Sequence, residues 1–409
     1  MFNWGIAKKL FDGFMILRWT DFIKPMEYPQ IEKSATQAVL SYIIGKEYEE
    51  TTGKTLDWEF IVKSNIYGLL CKIATSDIKA TISNRLKTEY AQQLKDYIIG
   101  IYFDDNGEFK YKPKNIISKK ELDNYISKTG VENRIEYKIC FVAHKLATYR
   151  EFCYIEKFNS LSPDTEIVKN EISPSTFIDK VEDTTLKDIT RKLTTPTDEL
   201  FIFFSYFEKL KPQVRWSQTC RLPQTTVLGH SMYVAVLTYF AVKEMQIISN
   251  ESKVAVNSFF AALFHDLPES LTRDIISPVK RSIKQFESKL AEYEYQQVYS
   301  KMIYKIRDRK WKDNFMILLG EEDQKFKPFK NREGILGELI EAIDKTASYV
   351  EAKMSIELGI NSDELQKGLN YSSNAIRDKV FDYRTYHDWR KSKNALVFND
   401  FLASISENR

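Results

Sequence analysis

The sequence predicts an all-α protein built from two helical bundles in tandem. Apolar residues recur at three- and four-residue spacing in FAALFHD, LGELIEAIDKTASYVEAKM and SKLAEYEYQQVYSKMIYKI, which is the pattern of amphipathic helices. Strand signals are sparse, and the best hairpin candidate is GIYFDDNGEFKYK at 100–112, where DNG lies between Tyr- and Phe-containing flanks. The third observation is an internal repeat, which predicts the tandem arrangement.

Composition limits the class of protein. A chain of 409 residues with 43% hydrophobic residues is long enough for two or three domains and too apolar for disorder. Its 60 basic and 57 acidic residues nearly balance, so charge gives no general attraction to a nucleic acid polymer or a membrane. The N-terminal MFNWGIAKKLFDGF lacks the features of a signal peptide, and the four cysteines form no CxxC pair. We therefore expect a soluble protein in the reducing cytoplasm.

The repeat appears in three successive segments. RWTDFIKPMEYPQIEKSATQAVL (18–40) aligns without a gap with RWSQTCRLPQTTVLGHSMYVAVL (215–237), at an offset of 197 residues. TSDI (75–78) matches TRDI (272–275) at the same offset, and HKLATY (144–149) lies opposite DKTASY (344–349) at an offset of 200. Three matches in order at nearly constant spacing predict an internal duplication.

The predicted domains follow from this duplication. They are a first copy at 1–157 and a second copy at 198–409. Residues 158–197 between them are rich in Ser, Thr, Pro and Asp, which predicts a linker. STFIDKVEDTTLKDITRKL inside this segment still has the pattern of a polar helix.

The second copy carries a set of candidate metal ligands that the first copy lacks. The candidates are His230, His265, Asp266 and Asp344, and their counterparts are Lys33, Gly68, Leu69 and His144. Glu269, which follows the His-Asp pair, is replaced by Lys72. Because the scaffold residues persist while these residues change, we interpret them as a functional set.

Their helical surroundings favour a buried metal site. His230 shares a helix face with apolar residues, and Asp344 lies in an otherwise apolar stripe, where an unpaired carboxylate is costly unless a cation offsets the cost. Pro268 disfavours helical backbone at the preceding residue, so we expect the helix to end just after His265 and Asp266. Each residue alone has a simpler interpretation: a core histidine, or an aspartate paired with a lysine. A further His-Asp pair, His387–Asp388, has no predicted role.

The order His…His-Asp…Asp resembles the HD superfamily of metal-dependent phosphohydrolases. Within it, HDLPESLTRDIISPVK is similar to the HD-x-x-E-x-L-T-x-D-x-x-x-P-V-K signature of the bacterial YfbR-like 5′-deoxynucleotidases, and the Arg-Trp pair upstream of His230 strengthens the resemblance. The resemblance covers about 200–360 with all motifs and about 1–155 as a degenerate copy.

The resemblance implies specific roles. The four ligands His230, His265, Asp266 and Asp344 would hold one divalent cation, and Asp266 and Glu269 would be catalytic, with Glu269 orienting or deprotonating the attacking water. Substrate contacts would come from Arg215 to the phosphate, Trp216 beside the sugar, Asp274 to the 3′-hydroxyl and Thr272 in the pocket. The donor set accommodates Mn, Co, Fe, Mg or Zn.

Some of these roles have structural alternatives. Arg215 and Trp216 could close a helix by stacking, and Asp274 could cap the following segment. Their counterparts Arg18, Trp19 and Asp77 survive in the degenerate copy, which favours a partly structural role for all three.

The leading functional hypothesis is a metal-dependent 5′-deoxynucleotidase that converts deoxynucleoside monophosphates to deoxynucleosides and phosphate. Residues 267–343 contain no histidine, which disfavours HD enzymes with two metal ions. The alternatives are a dNTP di- or triphosphohydrolase and a nucleotide-binding regulatory protein without turnover. Because the resemblance implies homodimeric single-domain relatives, residues 1–155 are expected to replace the second protomer of a pseudo-two-fold pair. A homodimer and a separate regulatory lobe are the alternatives.

Overall fold

The computed structural model describes residues 4–111, 116–245, 251–273 and 286–382. Its helices, numbered in chain order, are α1 Trp4–Met15, α2 Gln30–Thr52, α3 Trp58–Thr75, α4 Ala80–Glu89, α5 Ala91–Tyr102, α6 Lys119–Ser127, α7 Ile135–Ile155, α8 Pro163–Ile172, α9 Pro174–Ile178, α10 Thr184–Thr194, α11 Glu199–Glu208, α12 Val227–Met245, α13 Glu251–Phe264, α14 Glu269–Thr272, α15 Phe286–Lys301, α16 Lys312–Leu318, α17 Gly337–Glu357 and α18 Asp363–Asp382. Two short 3₁₀ helices, Glu156–Phe158 and Ile303–Ile306, and an antiparallel pair of two-residue strands, Glu321–Glu322 and Lys325–Phe326, complete the described elements.

The predicted all-α class is confirmed. The hairpin predicted at 100–112 is reduced to one isolated bridge between Phe103 and Phe109, because α5 extends through Tyr102. Tyr102 is fully buried, and its hydroxyl donates to the carbonyl of Leu70 at 2.6 Å, so tertiary packing prevails over the local strand signal. Within the described residues, no helix combines the length and the apolar character needed to cross a membrane.

The segment predicted as a linker is helical. Residues 158–197 contain α8, α9 and α10, and α10 packs against α2 with Leu186, Ile189 and Leu193 buried. Asp183 caps α10 by accepting a hydrogen bond from the backbone amide of Leu186. The polar-helix interpretation was therefore correct for this part of the chain, and its apolar face belongs to the core. The domain boundaries themselves stay a prediction.

Most of the buried hydrophobic residues form one core that extends through both bundles, and Tyr28, Phe152 and Ile155 form a smaller separate cluster. In the N-terminal bundle α2 packs against α3 and α7, and in the C-terminal bundle α12 packs against α13 and α17. The bundles meet through helices that occupy equivalent places in the repeat, since α2 packs against α12 and α3 against α13. At this contact a Cβ on Gly229 would lie 2.8 Å from the Phe14 ring, so only glycine lets α12 approach so closely.

Contacts across the bundles are partly reciprocal. Tyr42 of α2 packs on Phe260 and Phe264 of α13, with ring centroids 4.9 and 5.2 Å apart. Tyr239, which lies 197 residues after Tyr42, donates its hydroxyl hydrogen to Glu59 of α3 at 3.2 Å. Such exchange of equivalent positions is typical of a two-fold-related pair.

Local backbone geometry also recurs at the offset of 197. Trp19 and Trp216 both have positive φ, at 57° and 58°, although neither is glycine. Each bundle also has an isolated β-bridge at the equivalent place: Leu17 pairs with Pro29, and Val214 pairs with Thr226. These paired features support the predicted duplication.

Candidate metal centre

Three helices of the C-terminal bundle bring His230, His265 and Asp344 together. His230 lies in the first turn of α12, His265 directly follows α13, and Asp344 lies in α17. One ligand atom from each residue lies within 4.8 Å of the others, and all three residues are buried. The two imidazole centroids are 5.9 Å apart. This spacing suits a shared ion better than three independent core residues.

The position of His265 differs slightly from the expectation. Helix α13 ends at Phe264, one residue before the His-Asp pair, and the chain continues through turns into α14. Pro268 adopts helical angles immediately before α14, so it starts the next helix rather than ending the previous one. The Nδ1–H of His265 donates to the carbonyl of Ala262 at 2.7 Å, which fixes the tautomer and leaves Nε2 as the ligand atom.

His230 is oriented from both sides. Its Nδ1 lies 3.2 Å from Glu351 Oε1, and its Nε2 lies 2.9 Å from Asp344 Oδ1. If Nδ1 carries the proton and donates to Glu351, then Nε2 faces the cluster with its lone pair. A carboxylate behind a ligand histidine fixes ring orientation and increases its basicity.

Asp266 and Glu269 lie beside this cluster. Asp266 Oδ2 is 3.1 Å from His265 Nε2, but the two atoms lack hydrogen-bond geometry. Glu269 is the first residue of α14, and its backbone amide donates to the carbonyl of Asp266 at 3.0 Å. The turn therefore holds both acids next to the histidine.

The electrostatics of the cluster favour a cation. Burial alone would raise the pKa of Asp344, but the Lys345 ammonium 2.7 Å away and His230 hold it well below its usual value. Burial likewise opposes ionisation of Asp266, but His265, His230 and Arg215 lower its pKa to about 2. Asp266 raises the pKa of His265 against the effect of burial. Ionised carboxylates at buried positions create a negative potential that a positive ion would offset.

The residues present fit a divalent cation. Two buried polar atoms, His265 Nε2 and Asp266 Oδ2, have no hydrogen-bond partner among the described residues, and buried polar atoms rarely stay unsatisfied. Imidazole nitrogens with carboxylate oxygens form a donor set that Mn, Co, Fe or Zn accepts, and the two carboxylates also suit Mg. The group of mutually close ligand atoms consists of His230, His265 and Asp344, with Asp266 at its edge. The fourth ligand therefore stays a prediction.

Arg215 reaches the edge of the cluster. Its Nη1 lies 3.9 Å from Asp266 Oδ2, while Nε lies 3.4 Å from Glu351 and Nη2 donates to Ser348 Oγ at 3.2 Å. The guanidinium is thus held by α17 with one nitrogen toward the candidate metal ligands.

Trp216 makes packing contacts that its predicted role beside the sugar does not require. Its indole nitrogen donates to Glu351 at 2.7 Å, and its ring lies where a Cβ on Gly368 would approach to 2.5 Å. These contacts favour the structural interpretation of Trp216, because its polar atom and ring are both used in packing.

Two other predicted substrate contacts have different outcomes. The Thr272 hydroxyl donates to Glu294 of α15 at 3.2 Å, so this contact is directed to the neighbouring helix. Asp274 lies outside the described residues, as do His387 and Asp388.

Comparison with protein families identifies the C-terminal region. Residues 202–381 match the model of a family described as 5′-deoxynucleotidase YfbR-like. This region is similar to the YfbR-like family. A search of curated proteins found no match. The matched range contains the three clustered candidate ligands together with Asp266, Glu269 and Arg215. The family description names a 5′-deoxynucleotidase, and residues 202–381, the YfbR-like region, are similar to it.

Sequence reasoning missed Glu351 in the YfbR-like region. This carboxylate is 1% exposed and accepts hydrogen bonds from Trp216 Nε1 and Thr225 Oγ1, at 2.7 and 3.0 Å, besides contacting His230. Burial opposes ionisation, but Arg215 and the other nearby cations hold the pKa of Glu351 well below its usual value. The signal was present in the repeat, because Glu151 lies opposite at the offset of 200.

Proposed function

We propose that the C-terminal bundle hydrolyses deoxynucleoside 5′-monophosphates to deoxynucleosides and phosphate, with one divalent cation. The observation that carries the proposal is the buried cluster of His230, His265 and Asp344 inside the region that matches the YfbR-like family. A phosphate monoester is the substrate that the family description indicates.

His230, His265 and Asp344 would hold the ion, with Asp266 as the fourth ligand. When bound, a divalent cation supplies Lewis-acid polarisation of a phosphoryl oxygen and lowers the pKa of a coordinated water. The protein fixes the ligand atoms beforehand: Ala262 holds the His265 ring and Glu351 holds the His230 ring. This preorganisation avoids a reorganisation cost during the reaction.

Glu269 is the proposed general base. It begins α14, three residues beyond Asp266, and its backbone carbonyl accepts a hydrogen bond from the Gln213 amide at 3.0 Å. A half-buried carboxylate on this short helix can accept the proton of the attacking water while the metal ligands stay in place.

Arg215 is the proposed phosphate contact. Its side chain is fixed by Glu351 and Ser348, and Nη1 lies toward the ligand set. A guanidinium held in this way can donate hydrogen bonds to a phosphate oxygen and offset its charge. Its contact with Glu351 also gives it a structural role, as its survival in the first copy indicates.

The test is inorganic phosphate release by the full chain from panels of dNMP, NMP and dNTP. We expect phosphate from dNMPs, little from NMPs, and no tripolyphosphate from dNTPs. Glu269→Gln should retain bound metal and lose about 10²–10⁴-fold in turnover, the usual contribution of general acid–base catalysis. The matched control is Glu292→Gln on α15, a carboxylate whose side chain is 53% exposed.

Two results would reject this proposal. Tripolyphosphate release from dNTPs without phosphate release from dNMPs would favour the triphosphohydrolase alternative. Metal and nucleotide binding without any turnover would favour a regulatory protein.

A further inference from the structure

The N-terminal bundle contains a cluster of basic side chains at the place equivalent to the candidate metal centre. Lys33 of α2 and His144 of α7 meet there: the lysine ammonium contacts His144 Nδ1 and lies 3.4 Å from Nε2. Gln37 joins them, with Oε1 3.1 Å from His144 Nδ1. Lys33 is only 2% exposed, so its charge is directed into the protein.

One side of this cluster is partly exposed to solvent, because Gly68, Lys72, His144 and Lys145 are all half-buried. A Cβ on Gly68 would lie 3.1 Å from the Tyr125 hydroxyl, so this phenol takes up space that a His265-like side chain would need.

The two equivalent sets of side chains differ in the sign of their formal charge. Eight paired positions define them: 18 and 215, 33 and 230, 68 and 265, 69 and 266, 72 and 269, 144 and 344, 145 and 345, and 151 and 351. The C-terminal set has four acids and two bases, for a net charge of −2 with neutral histidines. The N-terminal set has one acid and four bases, for a net charge of +3 with neutral histidine. A place that suits a cation in one bundle therefore suits an anion in the other.

A buried lysine could in principle take the place of a metal ion among carboxylates, but this does not explain Lys33. Such a lysine would need the carboxylates of the metal site, but Leu69 and His144 stand where Asp266 and Asp344 stand in the other bundle. The acid kept in this set, Glu151, accepts hydrogen bonds from Arg18 and Trp19 through Oε2.

The electrostatics of the buried groups agree with this description. Burial lowers the pKa of Lys33 well below its usual value, and the charges of Arg18, Lys72 and Lys145 lower it further, while Glu151 acts in the opposite direction. Burial and the same cations also lower the pKa of His144. Burial and the Arg18 charge also lower the pKa of Lys72, while the Asp77 charge acts in the opposite direction.

We infer that the cluster of Lys33, Lys72, His144 and Lys145 binds a phosphate group. Lysines at different depths can donate to several phosphate oxygens at once, and a dianion offsets more of the excess charge than a carboxylate does. The group belongs either to free phosphate or to a nucleotide. This inference does not depend on the proposed activity of the C-terminal bundle.

The test is calorimetric titration of the full chain with inorganic phosphate. To separate this cluster from the candidate metal centre, the titration is repeated with Asp344→Asn, which disables that centre. We expect one phosphate-binding event to persist in Asp344→Asn and to weaken at least about 10-fold when Lys33→Met or Lys72→Met is added. Lys46→Met is the matched control, because Lys46 lies on the same helix α2 but packs on Trp58, with Nζ 4.3 Å from the ring centroid.

The melting temperature separates loss of binding from loss of fold. Without phosphate, Lys33→Met should melt no lower than the parent, since it removes a buried amine whose charged form is disfavoured by burial and by nearby cations. Phosphate should raise the melting temperature of the parent and of Lys46→Met but not that of Lys33→Met.

Titration of Asp344→Asn with a deoxynucleoside monophosphate identifies the source of the group. Affinity at least about 10-fold above that of phosphate identifies a nucleotide site, and equal affinity identifies a phosphate site. Phosphate binding that is unchanged by both lysine substitutions, or that disappears in Asp344→Asn alone, would overturn the inference.

Discussion

Around His230 and around Lys33 the same elements meet in the same way: an Arg-Trp turn, the start of a long helix, and a second long helix that carries a buried glutamate. Arg215 and Trp216 bind Glu351 in one bundle, and Arg18 and Trp19 bind Glu151 in the other. The groups at the centre differ completely. The contrast separates residues that maintain the frame from residues that perform chemistry.

This separation changes the interpretation of Arg215 and Trp216. Arg and Trp are present at both equivalent places, although the candidate metal ligands are present at only one, and both Arg215 and Trp216 contact Glu351 in the structure. A role in the frame explains this pattern. The equivalent places in the first bundle hold different residue types from His230, His265 and Asp344. Function is therefore the better explanation for the burial of these three residues.

The largest expected effect comes from removing one bundle altogether. Residues 198–409 expressed alone would expose Phe260, Phe264 and Tyr233, which pack against the N-terminal bundle. Exposed apolar surface of this kind causes aggregation or new association. We expect an insoluble or oligomeric product by size-exclusion chromatography, with the full chain as control. A soluble, fully active monomer would contradict the idea that the first bundle replaces a second protomer.

The second effect compares equivalent positions in the two bundles. Asp344→Asn removes a buried charged ligand and should abolish bound metal and turnover, a loss beyond the ~10–100-fold typical of residues that only support a ligand. His144→Asn, at the equivalent position, should leave metal content and turnover unchanged. Metal analysis and phosphate release measure both variants. Equal losses in the two variants would mean that position 344 acts through the fold.

The sequence predicted the helical class and the clustering of three ligands, because both follow from side-chain periodicity and from contrast within one chain. It did not predict Glu351, since the alignment of 144–149 with 344–349 stopped short of the buried glutamates. The helical segment at 158–197 was treated as a linker because turn formers there obscured the apolar face of α10. The exact end of α13 depended on how Pro268 enters the next turn, which local propensity alone does not determine.

The third effect concerns the contact between the bundles. Glu32, one residue before Lys33, accepts a hydrogen bond from Thr226 of the other bundle at 2.6 Å, and burial raises its pKa from 4.5 to about 8. Its protonated form is therefore favoured by folding, so the associated stability is complete below about pH 4.5 and is lost as the pH rises through 8. Glu32→Gln keeps an acceptor for Thr226 and does not titrate.

The parent should therefore fall below Glu32→Gln in stability as the pH increases from 5 to 9, by roughly 2–4 kcal/mol. Chemical denaturation at several pH values measures the difference. Glu27→Gln is the control, because the Glu27 side chain is 60% exposed, and its curve should parallel that of the parent. A constant difference between parent and Glu32→Gln across this range would show that Glu32 is ionised at every pH tested.

The smallest effect separates the two buried glutamates that share a structural role. Glu351→Gln keeps an acceptor for Trp216 but removes the charge behind His230, so metal affinity should fall by about 10–100-fold with the fold intact. Glu151→Gln makes the same change beside Lys33 and should alter the melting temperature without altering metal affinity. Metal titration and thermal melting on both variants provide the comparison. If Glu351→Gln lowered only the melting temperature, both glutamates would belong to the frame, and the orientation of His230 would have to come from Asp344 alone.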